Sequence, residues 1–295
     1  MRAMAAAELV EPGSAEWYET ISASKVPELM GLSSFRSPFE LHHVMVGRLE
    51  ARDAGDDAKR GHYIERALLD WWADEHPEHA VGPTGTWVHP DNPSWTATPD
   101  GTWGDALLEC KAMRKFWEWG RPGTAEIPPD KLVQVAWQMW VTGSRTVYVL
   151  VDLMAAFQVY VVRWEDVEDD FHAYVLPAVL DFQEGLRTGQ APDMDGSDST
   201  YQAVRRLHPE LADWAVTLDE ETSVAYARAI VEEKRAKAEA LRMKAEVTAR
   251  ADTARKILAH DGKTQLAFRS GRKGSTPSLT STAGVEKILT LTPQQ

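Results

Sequence analysis

Residues 99–111 read PDGTWGDALLECK, from Pro99 to Lys111. The second half looks like a β-strand, and side chains two apart on a strand share a face. Leu107, Glu109 and Lys111 then point one way, and Leu108 and Cys110 the other. A carboxylate beside an ammonium, with a second carboxylate at Asp100, suits a divalent cation and a phosphate. Mg²⁺ takes oxygen ligands and keeps several waters, so one or two carboxylates, a backbone carbonyl and phosphate oxygens suffice. Lys111 would orient or deprotonate an attacking water, or offset charge on the phosphate. An edge strand with a surface Glu–Lys pair gives the same string, so the flanks decide.

Upstream, GHYIERALLDWWADEHPE (61–78) places Ile64, Ala67, Leu68, Trp71 and Trp72 at helical spacing. Glu65 lies on or beside that apolar face, where a carboxylate needs a metal or an arginine as partner. Residues 81–98 look like short strands with Pro/Gly turns, and His89 is expected in a loop. Downstream, Arg114, Lys115 and Arg121 lie among Phe116, Trp117 and Trp119, as in a DNA-contacting or a packed surface loop. Residues 131–142 (KLVQVAWQMWVT) read as a largely buried helix with Gln134 and Gln138 on one face. The β-branched runs 147–151 and 158–162 suggest an antiparallel pair turning near Met154-Ala155-Ala156, followed by a helix over 165–187 kinked at Pro177.

Towards the N-terminus, Ser22 or Ser24 is expected to cap a helix through Leu29, with Gly31 placed where a helix ends, and Ser37-Pro38 starts another through Val46. Residues 50–60 read as polar loop and 190–200 as linker. From 218 to 258, rich in Ala, Glu, Lys and Arg, a helix of roughly 60 Å is expected, capped by Thr217 or Asp219. Its thin apolar stripe suggests a helical hairpin, packing on another subunit, or a coiled coil. Residues 262–280 read as a strand hairpin turning at RSGRKGS, where Arg269, Arg272 and Lys273 either touch DNA or are simply solvated.

The 295 residues suit one large domain, or one with an appendage. The single cysteine, Cys110, excludes an intramolecular disulfide and a Cys-based metal site. The N-terminal apolar run is too short for a signal peptide and no stretch suits a membrane span, so a cytoplasmic protein is expected. Net charge is −13, with −14 in residues 1–190 and +1 in 191–295. A DNA-handling protein with this balance must confine its positive potential to a groove, and its binding must be salt-sensitive.

In this order the features resemble the YqaJ-type viral recombinases and phage λ-type exonucleases of the PD-(D/E)xK nuclease superfamily. Pro99-Asp100 and Glu109-Cys110-Lys111 match the superfamily motif. Ile21, Ala23, Ser24, Gly31, Leu32, Ser33, Phe35, Ser37 and Pro38 match the N-terminal signature, and Gly61 with Glu65 a Gly-x-x-x-Glu helix. Gln134 and Gln138 resemble a glutamine helix placed near the active site. The arginine that λ-type enzymes use at a 5′-phosphate has no counterpart, its spacing falling near Trp17.

The resemblance implies an α/β fold with a restriction-endonuclease-like core, a mixed central sheet flanked by helices, over residues 1–190. A linker (191–217) and a long-helix and β-hairpin appendage (218–295) follow. The implied activity is a Mg²⁺-dependent DNA exonuclease, with Mn²⁺ as substitute, working 5′→3′ on linear duplex and leaving 3′ single strands for phage-type recombination. Asp100, Glu109 and the Cys110 carbonyl would bind metal, with Glu65 directly or through water, and Lys111 would position the nucleophile. Ser24 would meet the 5′-phosphate and Thr98 another phosphate, with Gln134, Gln138 and Arg114 on the substrate side. The implied partners are DNA ends, further copies of the chain in a ring-shaped trimer, and a single-strand annealing protein, all in a phage-infected bacterial cytoplasm. The alternatives are another PD-(D/E)xK nuclease, an endonuclease or RecB-like enzyme, and a non-catalytic DNA-binding module keeping the fold.

Overall fold

The computed structural model describes residues 4–5, 18–52, 55–82, 85–113, 118–153, 156–282, 285 and 287–290. The chain divides into two units, Met1–Leu211 and Ala212–Gln295. The first unit runs β1 (Met4–Ala5), β2 (Ile21–Ser22), α1 (Val26–Leu29), α2 (Pro38–Met45), α3 (Gly55–Glu75), β3 (Val81–Gly82), β4 (Trp87–His89), β5 (Asn92–Ala97), β6 (Gly101–Trp103) and β7 (Ala106–Ala112). It continues with α4 (Pro129–Thr142), β8 (Thr146–Asp152), β9 (Phe157–Arg163), α5 (Trp164–Asp170), a π-helical turn (Phe171–Val175), α6 (Leu176–Thr188) and α7 (Asp198–Leu207). Among the described residues no helix is long and apolar enough to cross a membrane.

The central sheet has the order β3-β6-β7-β8-β9, with β7 and β8 parallel and the other pairs antiparallel. Parallel neighbours need a crossover, and α4 supplies it. The helix starts at the Pro128-Pro129 pair and ends at Gly143, whose φ of +76° is the left-handed conformation that favours glycine. The strand alternation expected for 106–112 is observed. Leu107 joins the large core shared with Val135, Ala136, Trp137 and Met139 of α4. Leu108 and Cys110 join a second core with Leu68 and Trp72 of α3. The sheet is therefore covered on both sides, and β8 reads as a continuous apolar run because both its faces are buried.

A second sheet, β1-β4-β5-β2, packs its β4 and β5 against α4, with Trp137 Nε1 donating to Thr96 O at 3.1 Å. Here the expected first helix is corrected. Ile21-Ser22 pairs in parallel with Trp95-Thr96, so Ser24 falls in the turn after β2 and the helix is only α1. Its N-cap position holds Lys25, whose side chain makes no capping bond, and Pro27 fixes the first turn. The second helix is as expected, with Ser37 Oγ accepting from Glu40 N at 3.2 Å.

The polar segment 50–60 is also corrected. Helix α3 begins at Gly55 and carries its polar first turns ahead of the apolar stripe, so composition alone misplaced the boundary. His89 sits buried in β4 against Trp95 and Trp140 rather than in a loop. The expected helix 165–187 runs from Trp164 to Thr188 through the π-helical turn just before Pro177, where the missing N–H of proline releases one ladder bond. The expected turn residues Met154 and Ala155 lie outside the described residues.

Within the segment read as linker, 198–207 forms α7 and docks on α2. Glu40, fully buried, accepts from Arg206 at 2.9 Å, from Arg52 at 2.8 Å and from Ser199 at 2.5 Å. Thr200 Oγ1 donates to Ser37 Oγ at 2.8 Å. A buried carboxylate demands such partners, and a composition rich in Ser, Asp and Gly hid them.

The second unit contains α8 (Glu220–Ala251), β10 (Lys256–Leu258), β11 (Gln265–Ser270), β12 (Ser278–Ser281) and α9 (Lys287–Thr290). Asp219, one of the two expected caps, accepts from Thr222 N at 2.7 Å. Helix α8 spans about 48 Å at 1.5 Å per residue and buries none of its side chains. It stops at Ala251, before Asp252 at φ +45°, so the expected end at 258 is corrected. Residues 256–258 instead form the third strand of an antiparallel sheet, β10-β11-β12.

Candidate active site

Asp100 meets Glu109 because the hairpin between β6 and β7 turns in two residues. Trp103 pairs with Ala106 and Gly101 with Leu108, around Gly104 at φ +59°. That register sets Asp100 opposite Glu109. Asp100 N donates to Leu108 O at 3.1 Å, and Asp100 Oδ2 accepts from Cys110 N at 2.7 Å. The nine-residue separation of the two acids is thus the length of one tight hairpin.

Glu109 is 2% exposed and faces α4. Its Oε1 accepts from Gln134 Nε2 at 2.7 Å and from Lys111 Nζ. Its Oε2 accepts from Gln138 Nε2 at 2.6 Å. Two glutamines one helical turn apart therefore grip both oxygens of one strand carboxylate. Glu65, on α3, is partly exposed with His62 Nδ1 at 3.5 Å, and its charge acts on Asp100 and on Cys110.

Burial raises the Asp100 carboxyl well above the usual carboxylate range, Glu109 and Glu65 add to the rise, and Lys111 opposes it. Burial works to lower Lys111, but Glu109 and Asp100 outweigh it, and its pKa lies above the ordinary lysine value. Lys111 is therefore an ammonium at neutral pH. Burial also pushes the Cys110 thiol up, so its sulfur is inert and only its backbone bears on the site. Among the described residues three carboxylates interact with one ammonium here, and Gln138 Oε1 is buried without a donor. An oxygen-only donor set short of positive charge fits a hard divalent cation. As the side chains stand, no three Asp, Glu, His or Cys among the described residues are grouped to hold a metal ion.

A pH dependence follows. A raised carboxyl pKa means the folded chain holds that proton more tightly than the unfolded one. Its stabilising contribution is complete below the unfolded-state value and is lost as pH rises through the folded value. Lys111, also raised, acts only at far higher pH. In chelator, the melting temperature of the wild type is expected to fall with pH above the usual carboxylate range, and Asp100→Asn to flatten that fall. Parallel profiles for the two proteins would contradict the assignment.

Of the expected substrate residues, Ser24 is exposed with Ser22 Oγ at 3.2 Å, and Thr98 is exposed with Thr86 Oγ1 at 3.1 Å. Each lies two residues beyond one of the paired residues Ser22 and Thr96, at the same end of the parallel pair. Arg114, with Lys115, Phe116 and Trp117, lies outside the described residues. Two charged clusters escaped the sequence. Lys25, 1% exposed, donates to Thr20 O at 2.6 Å, and its pKa is lowered to about 7 by burial; Glu28 pairs with Arg36 at 3.1 Å. The one available signal was a Lys and a Glu bracketing Val26-Pro27 in an otherwise apolar turn. Arg60 of α3 pairs with Asp152 at 3.3 Å, where β8 ends beside Ala112.

The family model of the YqaJ-like viral recombinase domain matches residues 16–145. No curated protein matches the chain. Among solved structures, an alkaline exonuclease from Laribacter hongkongensis is 18% identical over 60% of this chain and 96% of its own, with a TM-score of 0.46. The same exonuclease in complex with dAMP gives 20% identity, 60% and 94% coverage and a TM-score of 0.46. A phage-related exonuclease from Haemophilus somnus 129PT gives 9% identity, 58% and 96% coverage and 0.43. Likenesses of this grade do not carry an activity across. Residues 16–145, which hold Glu65, Asp100, Glu109, Lys111 and both glutamines, are similar to the YqaJ-like viral recombinase domain whose model they match.

Proposed function

We propose that this chain is a divalent-metal-dependent deoxyribonuclease with a PD-(D/E)xK site, digesting linear duplex DNA from its ends in the 5′→3′ direction. The observation that carries this is the grip of Gln134, Gln138 and Lys111 on Glu109, directly across a hairpin from a carboxyl whose proton affinity is raised. A purely structural Glu–Lys pair needs neither the two glutamines nor a second buried acid.

Asp100, Glu109 and the Cys110 carbonyl would hold Mg²⁺ or Mn²⁺, with Glu65 alongside. The bound ion would supply an activated water and offset charge on the leaving oxygen. Gln134 and Gln138 fix the rotamer of Glu109 by donating to both its oxygens. Lys111, held as an ammonium, orients the nucleophile and offsets developing negative charge on the phosphate. It does not act as the base. Ser24 and Thr98 are the hydroxyls proposed to meet substrate phosphates, and Arg114 is a further residue proposed to contact substrate. By the family resemblance, the enzyme works on DNA ends as a ring-shaped homo-oligomer in a bacterial cytoplasm and passes 3′ single strands to an annealing protein.

Gln138→Leu is expected to lower the hydrolysis rate about 10- to 100-fold, the consequence of leaving a buried charged oxygen without its donor at about 1–3 kcal/mol. Gln134→Leu is expected to cost less, because Lys111 still serves Oε1. Steady-state rates of the two variants on one duplex check the order. The function itself is tested with end-labelled linear duplex, carrying 5′-phosphate or 5′-hydroxyl, beside a closed circle. Loss of the 5′ label first, with the circle intact, supports the proposal. Cutting of the circle would make the enzyme an endonuclease, and no cleavage with Mg²⁺ or Mn²⁺ would remove the activity.

A further inference from the structure

The second unit carries charge that the site above does not use. Within residues 252–282, six cations (Arg255, Lys256, Lys263, Arg269, Arg272 and Lys273) stand against two acids, Asp252 and Asp261, in a chain whose net charge is −13. The ion pairs of α8 involve its own residues: Lys237 with Glu233, Arg242 with Glu239 and Glu246, and Arg250 with Glu246. Among the described residues, none of these six cations forms an ion pair with a carboxylate.

The ladder sharpens this. Lys256 pairs with Phe268, and one position further Arg269 N donates to Arg255 O at 2.8 Å. Two arginines thus face each other across neighbouring strands on one side of the sheet. Like charges directly opposite destabilise a sheet, and an anion bridging them removes that cost. Arg269 gives Nη1 to the backbone carbonyl of Asp252, not to a carboxylate, and its Nε is buried without an acceptor. A cavity of about 540 Å³ opens here, lined by Arg255, Arg269, Thr253, Ser270 and Gly271, with Asp252 the one acid among its lining residues. Directly after Gly271, the β11–β12 turn presents Arg272 and Lys273 to solvent. Guanidinium groups bind phosphate oxygens in a fork that matches their geometry.

We propose that this sheet is a DNA-docking surface, with one backbone phosphate seated between Arg255 and Arg269 and its neighbours met by Arg272 and Lys273. The choice of DNA as the polyanion rests on the deoxyribonuclease reading of the other unit.

The test is fluorescence anisotropy of a labelled duplex with the full chain in chelator, across a salt series. Each phosphate contact contributes a slope of about −0.9 in log affinity against log salt. The double change Arg272→Gln with Lys273→Gln is expected to weaken binding about tenfold or more at low salt and to flatten the slope by about 2; Arg255→Gln is expected to flatten it by about 1. Lys237→Gln, which removes an equal charge from α8, is expected to leave the slope unchanged. Unchanged slopes in the sheet variants, or an equal loss in Lys237→Gln, would overturn the proposal. Because binding is read without hydrolysis, the two readings fail separately. A chain that needs these arginines to hold DNA yet cleaves nothing sinks only the nuclease, and a nuclease indifferent to them sinks only the docking surface.

Discussion

Lys111→Ala is expected to lower single-turnover hydrolysis of 5′-phosphorylated linear duplex roughly 100- to 1,000-fold, the usual loss when one preorganised charge donor leaves an active site. Lys111 is half-buried, donates to Glu109 Oε1, and interacts with the charge of Asp100. Its removal takes away the one cation that, among the described residues, opposes the charge of Glu109 and Glu65 on Asp100. The Asp100 carboxyl, which Lys111 pulls down against burial and Glu109, then rises further. The acid limb of the residual pH–rate profile is therefore expected to move to higher pH. A simple loss of folding would not move it. Full activity in Lys111→Ala, or an unmoved acid limb, would contradict the role assigned to the ammonium.

Trp137→Ala is expected to destabilise the first unit by about 3–5 kcal/mol, as for other large-to-small changes of buried aromatics. Trp137 is 0% exposed, stands edge-on to Trp95 at 5.6 Å, and lies 6.3 Å from Phe171. Its indole N–H also satisfies Thr96 O, so the change leaves a cavity and an unpaired carbonyl together. At roughly 2–4 °C per kcal/mol for a domain of this size, the melting temperature should fall by about 6–20 °C. Helix α4 carries Gln134 and Gln138 on the next face, so hydrolysis should weaken well below the transition. A melting shift under about 2 °C, the size of an ordinary surface change, would contradict the packing account.

The site was legible where local pattern and chemistry coincide. Strand alternation placed Glu109 and Lys111 on one face, and the i, i+4 spacing placed Gln134 and Gln138 on one side of their helix. What joins them is tertiary: nothing in KLVQVAWQMWVT says that both amides end on the same carboxylate. The hairpin that sets Asp100 opposite Glu109 is written in Gly104-Asp105, although its two-residue length emerged only with the register. Ser24 was placed on a helix because SASKVPELM has a plausible cap and apolar spacing. Pairing of Ile21 and Ser22 with β5 wins over that propensity. Helix α7 was hidden because its attachment runs through Glu40, more than 150 residues earlier in the chain. The long helix α8 was legible in type and start, since caps and composition are local. Its end was not, since β10 needs its partner strand.

The ion site proposed for Glu65, Asp100 and Glu109 beside Lys111 is decided by Mn²⁺ titration followed by calorimetry. The wild type is expected to bind the ion saturably, and the double change Asp100→Asn with Glu109→Gln to abolish that binding while the chain stays folded. A wild type that takes up no ion, or a double variant that binds it as tightly, would contradict the claim.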